Sequence, residues 1–350
     1  MDIPQDKQLQ DIIDTVQHNC HIADARHAGD YTLCVYLLKM REMYRWEQGI
    51  DFKTMLTTDD VGEWLTQRES VWDQVEEADY KPLTINGQQV KPFANELINA
   101  LLDEKKLVYN AGLGIRCRPH FFIAELDDII QHHDYTIYIS GKEFARDMAA
   151  PPAMAQEKNI FIRRESLRRV IWEILDDARV SGLDNPLTRA MSFYDFESDA
   201  ENALTTMTDV EMPYVIQHEI GEVMAGKIVG EVWNEMLDTL AKTHAEIMLR
   251  AIRDHLADSI TSLPELLRVN DPASIHFYFG NMTAMRKHLA PGLISAYQSW
   301  HETGDADELH SHVTIAHSHW KTLAEQVTAH YQKSPDAAEI ESIIKENKLL

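Results

Sequence analysis

The chain reads as a mainly α-helical protein of the α+β class: a multi-helix bundle with a small mixed α/β section near residues 80–162. Three observations lead there. Apolar residues recur at helical spacing through most of the 350 residues. One stretch departs from this. Asn86-Gly87 separates the short arms Leu83-Thr84-Ile85 and Gln88-Gln89-Val90, which is the strongest short hairpin signal. Beyond Ala149-Ala150-Pro151-Pro152-Ala153 the pattern is almost wholly helical, so a boundary is expected there. Residues 1–150 then hold N-terminal helices plus the α/β section, and 151–350 form a C-terminal helical domain.

Each element has its own signal. Leu9, Ile12, Ile13, Val16, Cys20 and Ala23 make the stripe of a first helix over 5–28, which Gly29 can end. A second helix over about 31–48 closes at Gly49, and a third near 59–78 carries Trp64 and Trp72. After the hairpin come a short helix near 94–104 and strand-like runs at Leu107-Val108-Tyr109, 121–126 and 135–140. Helices are then expected at about 164–179, 210–242, 243–261, 273–289, 292–302 and 306–332, with a short polar helix after Ser334.

Composition narrows the function. The net charge is −24, from 57 acidic and 33 basic residues spread along the chain. Such a surface disfavours sequence-independent nucleic-acid binding and docking on anionic membrane, and it favours solubility. Cys20, Cys34 and Cys117 are odd in number and far apart, which fits a reducing compartment better than a disulfide framework. Residues 1–8 are polar and no apolar run has membrane length, so a cytoplasmic protein with a small-molecule substrate is expected.

The chemistry concentrates on one helix. Glu211, His218 and Glu222 stand at i, i+7 and i+11, on one line that continues through Val229, Trp233, Met236 and Leu240. Lys227, Glu231, Asn234 and Asp238 take the opposite side, Asp209 suits the helix N-cap and Pro213 its first turn. Two carboxylates and an imidazole thus occupy the stripe that should face a core. A buried carboxylate must be paired, protonated or bound to a cation. Pairing with Arg163, Arg164, Arg168 or Arg169 is one solution, and would make the chain a scaffold or binding module around a salt-bridge network. A metal-free acid–base site is another.

Two resemblances suggest metal. The spacing Glu211-x6-His218 resembles a motif on a core helix of the haem-oxygenase-like di-iron proteins. That implies a non-haem iron pair doing redox chemistry on a small organic substrate, with Glu211, His218 and Glu222 as ligands. The family also has a glutamate from another helix, for which Glu246 and Glu265 are the candidates. It further has a His-x3-Asp pair, whose spacing His301 and Asp305 share across Gly304. The segment His218-Glu219-Ile220-Gly221-Glu222 looks like the zincin metallopeptidase helix, with Glu222 in place of the second histidine. That resemblance implies zinc and makes Glu219 the general base.

Other helices offer further ligands. Asp24, His27 and Glu42 can converge as a metal half-site if Glu42 extends the Tyr31–Val35–Leu38 line; a buried Asp–His bond and an arginine partner for Glu42 explain them equally. His244 and His255 share a face with Met248, Ala251 and Ile252. Together with His276, these are the groups expected near His218. His310, His312, His317, His319 and His330 flank the core stripe of their helix, a boundary arrangement without catalytic meaning. The arginines at 163–169 can hold a phosphate or carboxylate ligand, although pairing with the surplus acid accounts for them more simply.

Overall fold

The computed structural model describes residues 7–114, 118–156, 158–181 and 183–350; Cys117 lies outside them. The chain forms two compact units, Met1–Trp172 with Asp199–Thr205, and Glu173–Ser198 with Thr206–Leu350. Among the described residues it is mainly helical, an α+β fold of fifteen α-helices and a small sheet region. No helix among them is long and apolar enough to cross a membrane.

The first unit starts with α1 (Lys7–His27), α2 (Leu33–Gln48) and α3 (Thr58–Val75). Strands β1 (Leu83–Ile85) and β2 (Gln88–Val90) pair antiparallel across Asn86-Gly87, and α4 (Asn95–Leu102) follows. Then come β3 (Leu107–Leu113), β4 (Pro119–Gln131), β5 (Thr136–Arg146), β6 (Ala153–Gln156) and β7 (Asn159–Arg163). They form one sheet in the order β3-β4-β5-β7-β6, antiparallel except where β5 meets β7. The sheet therefore continues past Pro151-Pro152.

Alternation in β4 sets the two faces of the sheet. Phe121 and Ile123 meet the α1 stripe of Leu9, Ile12, Val16 and Cys20, while Phe122 and Ala124 pack with Val108 and Phe161. The α1 stripe is thus the expected one. That of α2 is not: Met40 and Met43 are its buried apolar residues, Glu42 and Arg45 are buried with them, and Val35 and Leu38 are exposed.

The remaining helices are α5 (Arg164–Ser181), α6 (Pro186–Met191), α7 (Ala200–Val229), α8 (Glu231–Thr239), α9 (His244–Ile260), α10 (Ser262–Val269), α11 (Pro272–Asn281), α12 (Ala284–Leu289), α13 (Pro291–Thr303), α14 (Asp307–Tyr331) and α15 (Ala337–Glu346). The core of the second unit forms around α9, whose Met248, Leu249, Ile252 and Leu256 are fully buried. Helices α8, α10, α12, α14 and α15 pack on it. Each such aliphatic side chain contributes about 1.5–3 kcal/mol of burial.

Three sequence expectations need correction here. The expected single helix through Leu240 is two, because Gly230 breaks it at φ 72°, ψ −174°. That conformation is open essentially to glycine alone. The first of the two begins at Ala200, ten residues early, so Asp209 is not its cap and Pro213 lies inside it on the exposed side. The expected helix at 273–289 divides at Met282, where Thr283 accepts the Arg286 N–H and starts α12 afresh.

The break yields a test. A Cβ at Gly230 or at Gly226 meets nothing within 4 Å, so only backbone conformation separates the two positions. Gly230→Ala should cost about 1–3 kcal/mol. Gly226→Ala, inside the helix, should stabilise by about 0.5–1 kcal/mol. Urea midpoints of both variants against the parent check the opposite signs.

Candidate acid–base site

Gly221 positions the site. A Cβ there would lie 2.4 Å from the Ala257 carbonyl oxygen and 2.6 Å from Thr261 Oγ1. The missing side chain lets α7 approach the backbone of α9, and Thr261 then donates to the Gln217 carbonyl at 2.6 Å. His218 lies three residues before Gly221 and Glu222 one residue after it, and both meet side chains of α9, Asp258 and Arg253.

His218 Nδ1–H donates to Asp258 Oδ1 at 2.7 Å. Asp258 is fully buried, and its other oxygen takes the Tyr278 hydroxyl at 2.8 Å and the Arg286 guanidinium. Arg286 also reaches the Tyr278 oxygen at 3.0 Å. Burial would push the Asp258 carboxyl up; Arg286 and His218 reverse that and hold it well below the carboxylate range. Burial likewise would depress the His218 imidazolium, but Asp258 overrides it and raises the group to about 9. His218 is therefore a cation at neutral pH. Its side chain stays 32% exposed, with Nε2 as the second ring nitrogen.

Three carboxyls surround this cation. Glu222 pairs with Arg253 at 2.8 Å. Burial raises Glu219 to about 7, opposed by His218 and helped by Glu222. Burial also raises Asp254, against the pull of Arg286. A fixed imidazolium thus stands near a carboxyl that titrates near neutrality, a pairing suited to proton transfer.

The other sequence candidates have separate partners. Glu211 is buried and accepts from Ser274 at 2.8 Å, and burial lifts it to about 7. Seven residues at about 1.5 Å rise put it roughly 10 Å along α7 from His218. His255 stacks on Trp320 at 4.5 Å and donates to the Arg286 carbonyl at 2.9 Å; burial depresses it to about 3. It is a packed core histidine. His244 is half-exposed and meets Glu341. His276 meets the Tyr297 hydroxyl at 2.8 Å.

In the first unit, Asp24 accepts from the Met148 N–H, His27 meets Asp30, and Glu42 pairs with Arg41 and Arg45. These three do not form the expected half-site. Of the arginines at 163–169, Arg163 pairs with Glu143, Arg168 with Glu201, and Arg169 donates to the Ala149 and Ala150 carbonyls.

As placed, Glu211, His218 and Glu222 do not converge: Glu211 lies about 10 Å along α7 from His218 and bonds Ser274, and Arg253 holds both oxygens of Glu222, while His218 uses its Nδ1 on Asp258. Among the described residues, the groups whose donor atoms lie within 4.8 Å of one another are His132, His133 and Asp134, in the turn between β4 and β5.

Residues 11–163 match the N-terminal domain of DUF6866, a family of unknown function, and residues 168–347 match its C-terminal domain. The chain belongs to the DUF6866 family. The whole His218 cluster falls within the DUF6866 C-terminal domain. No curated protein and no solved structure matches the chain.

Sequence reasoning missed Asp258, Arg286 and Tyr278. One signal was present: Asp258 lies three residues after His255, within about 60° of it on a helix. A glycine between His218 and Glu222 was a second, because mid-helix glycine marks close approach.

Two measurements check this geometry. Gly221→Ala should cost about 1–3 kcal/mol by overpacking α7 against α9. The pH dependence carries a sign. A raised His218 stabilises the fold fully below about 6.5 and progressively loses that effect as pH rises through about 9. The stability gap between the parent and His218→Gln, read from urea midpoints, should therefore shrink across that window.

Proposed function

We propose that the second unit carries an acid–base centre for a small organic substrate, with Glu219 moving the proton and the His218 imidazolium stabilising the negative charge that develops. One observation carries the reading. A charged, third-exposed imidazole is fixed from behind by a buried carboxylate, and a carboxyl with pKa about 7 is its helix neighbour. Asp258, Arg286 and Tyr278 are positioning residues. They hold the imidazole by Nδ1 and keep it charged. Glu222 and Arg253 neutralise each other beside it.

The site serves a substrate that loses a proton next to an electron-withdrawing group such as a carbonyl. Solvent-deuterium incorporation into a panel of small 2-oxo acids and ketones, followed by NMR, tests this. Exchange catalysed by the parent should fall about 100-fold or more in Glu219→Gln. An equal rate in that variant, or no exchange on any panel member, overturns the proposal.

The iron reading from the di-iron resemblance, and the zinc reading with Glu219 as base, make a different demand: Glu222 would have to leave Arg253 and, for iron, Glu211 would have to reach His218. Elemental analysis of untagged protein separates the readings. Two irons per chain would favour the first, one zinc the second. A third reading, a scaffold held by buried ion pairs, is favoured by the Arg253–Glu222 and Arg286–Asp258 contacts. Under it, Glu219→Gln changes no chemistry.

A further inference from the structure

The first unit holds an open cleft of about 480 Å³ between α1, α2 and α3. That volume lies in the range of small-molecule sites. Its walls include Tyr31, Tyr36 and Trp72, and its acidic groups are Glu69, Asp73 and Glu76. No lysine or arginine is among the described residues lining it. We infer that this cleft binds a small organic cation, specifically an alkylated ammonium group.

Charge and ring geometry together select that class. Aromatic faces carry negative potential and attract cations, most strongly where water is excluded. Tyr36 and Trp72 stand 6.5 Å apart between ring centres and are tilted by 57°, so their planes are far from parallel. Trp72 is buried, and its indole N–H donates to His21 Nδ1 at 3.4 Å, which fixes the ring. The Tyr36 hydroxyl donates to Glu69 at 2.8 Å, tying one wall to one carboxylate.

The protein's own cations already use one of these rings: the Arg118 guanidinium lies 4.5 Å from the centre of the Tyr31 ring and the Lys39 ammonium 5.5 Å from it, so Tyr36 and Trp72 are the faces left to a ligand. A quaternary ammonium asks for no hydrogen-bond acceptor and sheds water readily. It therefore suits walls of ring carbon better than a metal ion or a primary amine does. The three carboxylates supply the balancing charge.

The test uses the full chain and tetramethylammonium chloride, with sodium chloride at the same ionic strength as the comparison. Isothermal titration and tryptophan fluorescence read binding. Saturable binding of tetramethylammonium, absent with sodium, is expected. Tyr36→Leu should weaken it about fivefold or more, within the range of a desolvated cation–π contact. Because Tyr36 packs partly against its neighbours, the exposed double change Glu69→Gln with Asp73→Asn gives a second reading, and it should also weaken binding. Three results would overturn the inference: no saturation, an equal response to sodium, or binding that both sets of changes leave untouched.

Discussion

The Asp258 carboxylate is the group around which the polar part of the second unit is arranged. It is 1% exposed on a helix otherwise packed with aliphatic side chains. An ionised carboxylate there is tolerable only if strong donors replace its water. Three do, and each comes from a different helix: His218 from α7, Tyr278 from α11 and Arg286 from α12. Satisfying one charge therefore ties four helices together. The remaining electrostatics follow. Asp258 charges His218; His218 and Arg286 draw on the other acids; and Glu219 is left with burial as its largest influence, so its carboxyl rises.

The first unit meets the same requirement differently. Asp147 is buried and accepts from the backbone N–H groups of Phe121 and Ala150 and from the His120 ring. Asp24 takes the Met148 N–H. These acids are held mostly by peptide groups, so they organise the chain after β5 and leave no exposed cationic partner. Two such carboxylates close together also raise one another: burial and Asp147 hold Asp24 well above its ordinary range. Buried acid is thus held mainly by peptide groups in one unit and by side chains from other helices in the other.

Local order was well written in the sequence. The α1 stripe, the Asn86-Gly87 hairpin, three of the five sheet strands and most helix limits depend on neighbours within a few residues, and periodicity reports those; β6 and β7, past Pro151-Pro152, were not foreseen. What was lost depends on partners far along the chain. His218 meets a residue 40 positions away, and nothing in the spacing of α7 selects Asp258 over Glu246 or Glu265. The shared line of Glu211, His218 and Glu222 was legible but misleading. A line along a helix places groups on one side, yet about three turns separate the ends of this one, and each end meets a different element. The Tyr31–Val35–Leu38 line failed for a related reason: apolar periodicity cannot distinguish a face that packs from one left exposed, and here Met40 and Met43 took the interior.

The arrangement also indicates what a metal site on such a helix requires. Metal needs donors that converge, and convergence demands that no strong intramolecular partner reaches them first. Arginine is such a partner, because its planar fork matches a carboxylate and stays charged at any working pH. Arg253 on Glu222 and Arg286 on Asp258 fill that role in α9 and α12. Asp258 and burial leave His218 and Glu219 distinct, the first held charged to about 9 by Asp258 and the second raised to about 7 by burial. Two titratable neighbours whose environments separate their proton affinities can divide the roles of charge stabiliser and proton carrier. The contacts that keep Arg253 on Glu222 and Arg286 on Asp258 thus belong to the same network on which the proposed proton transfer depends.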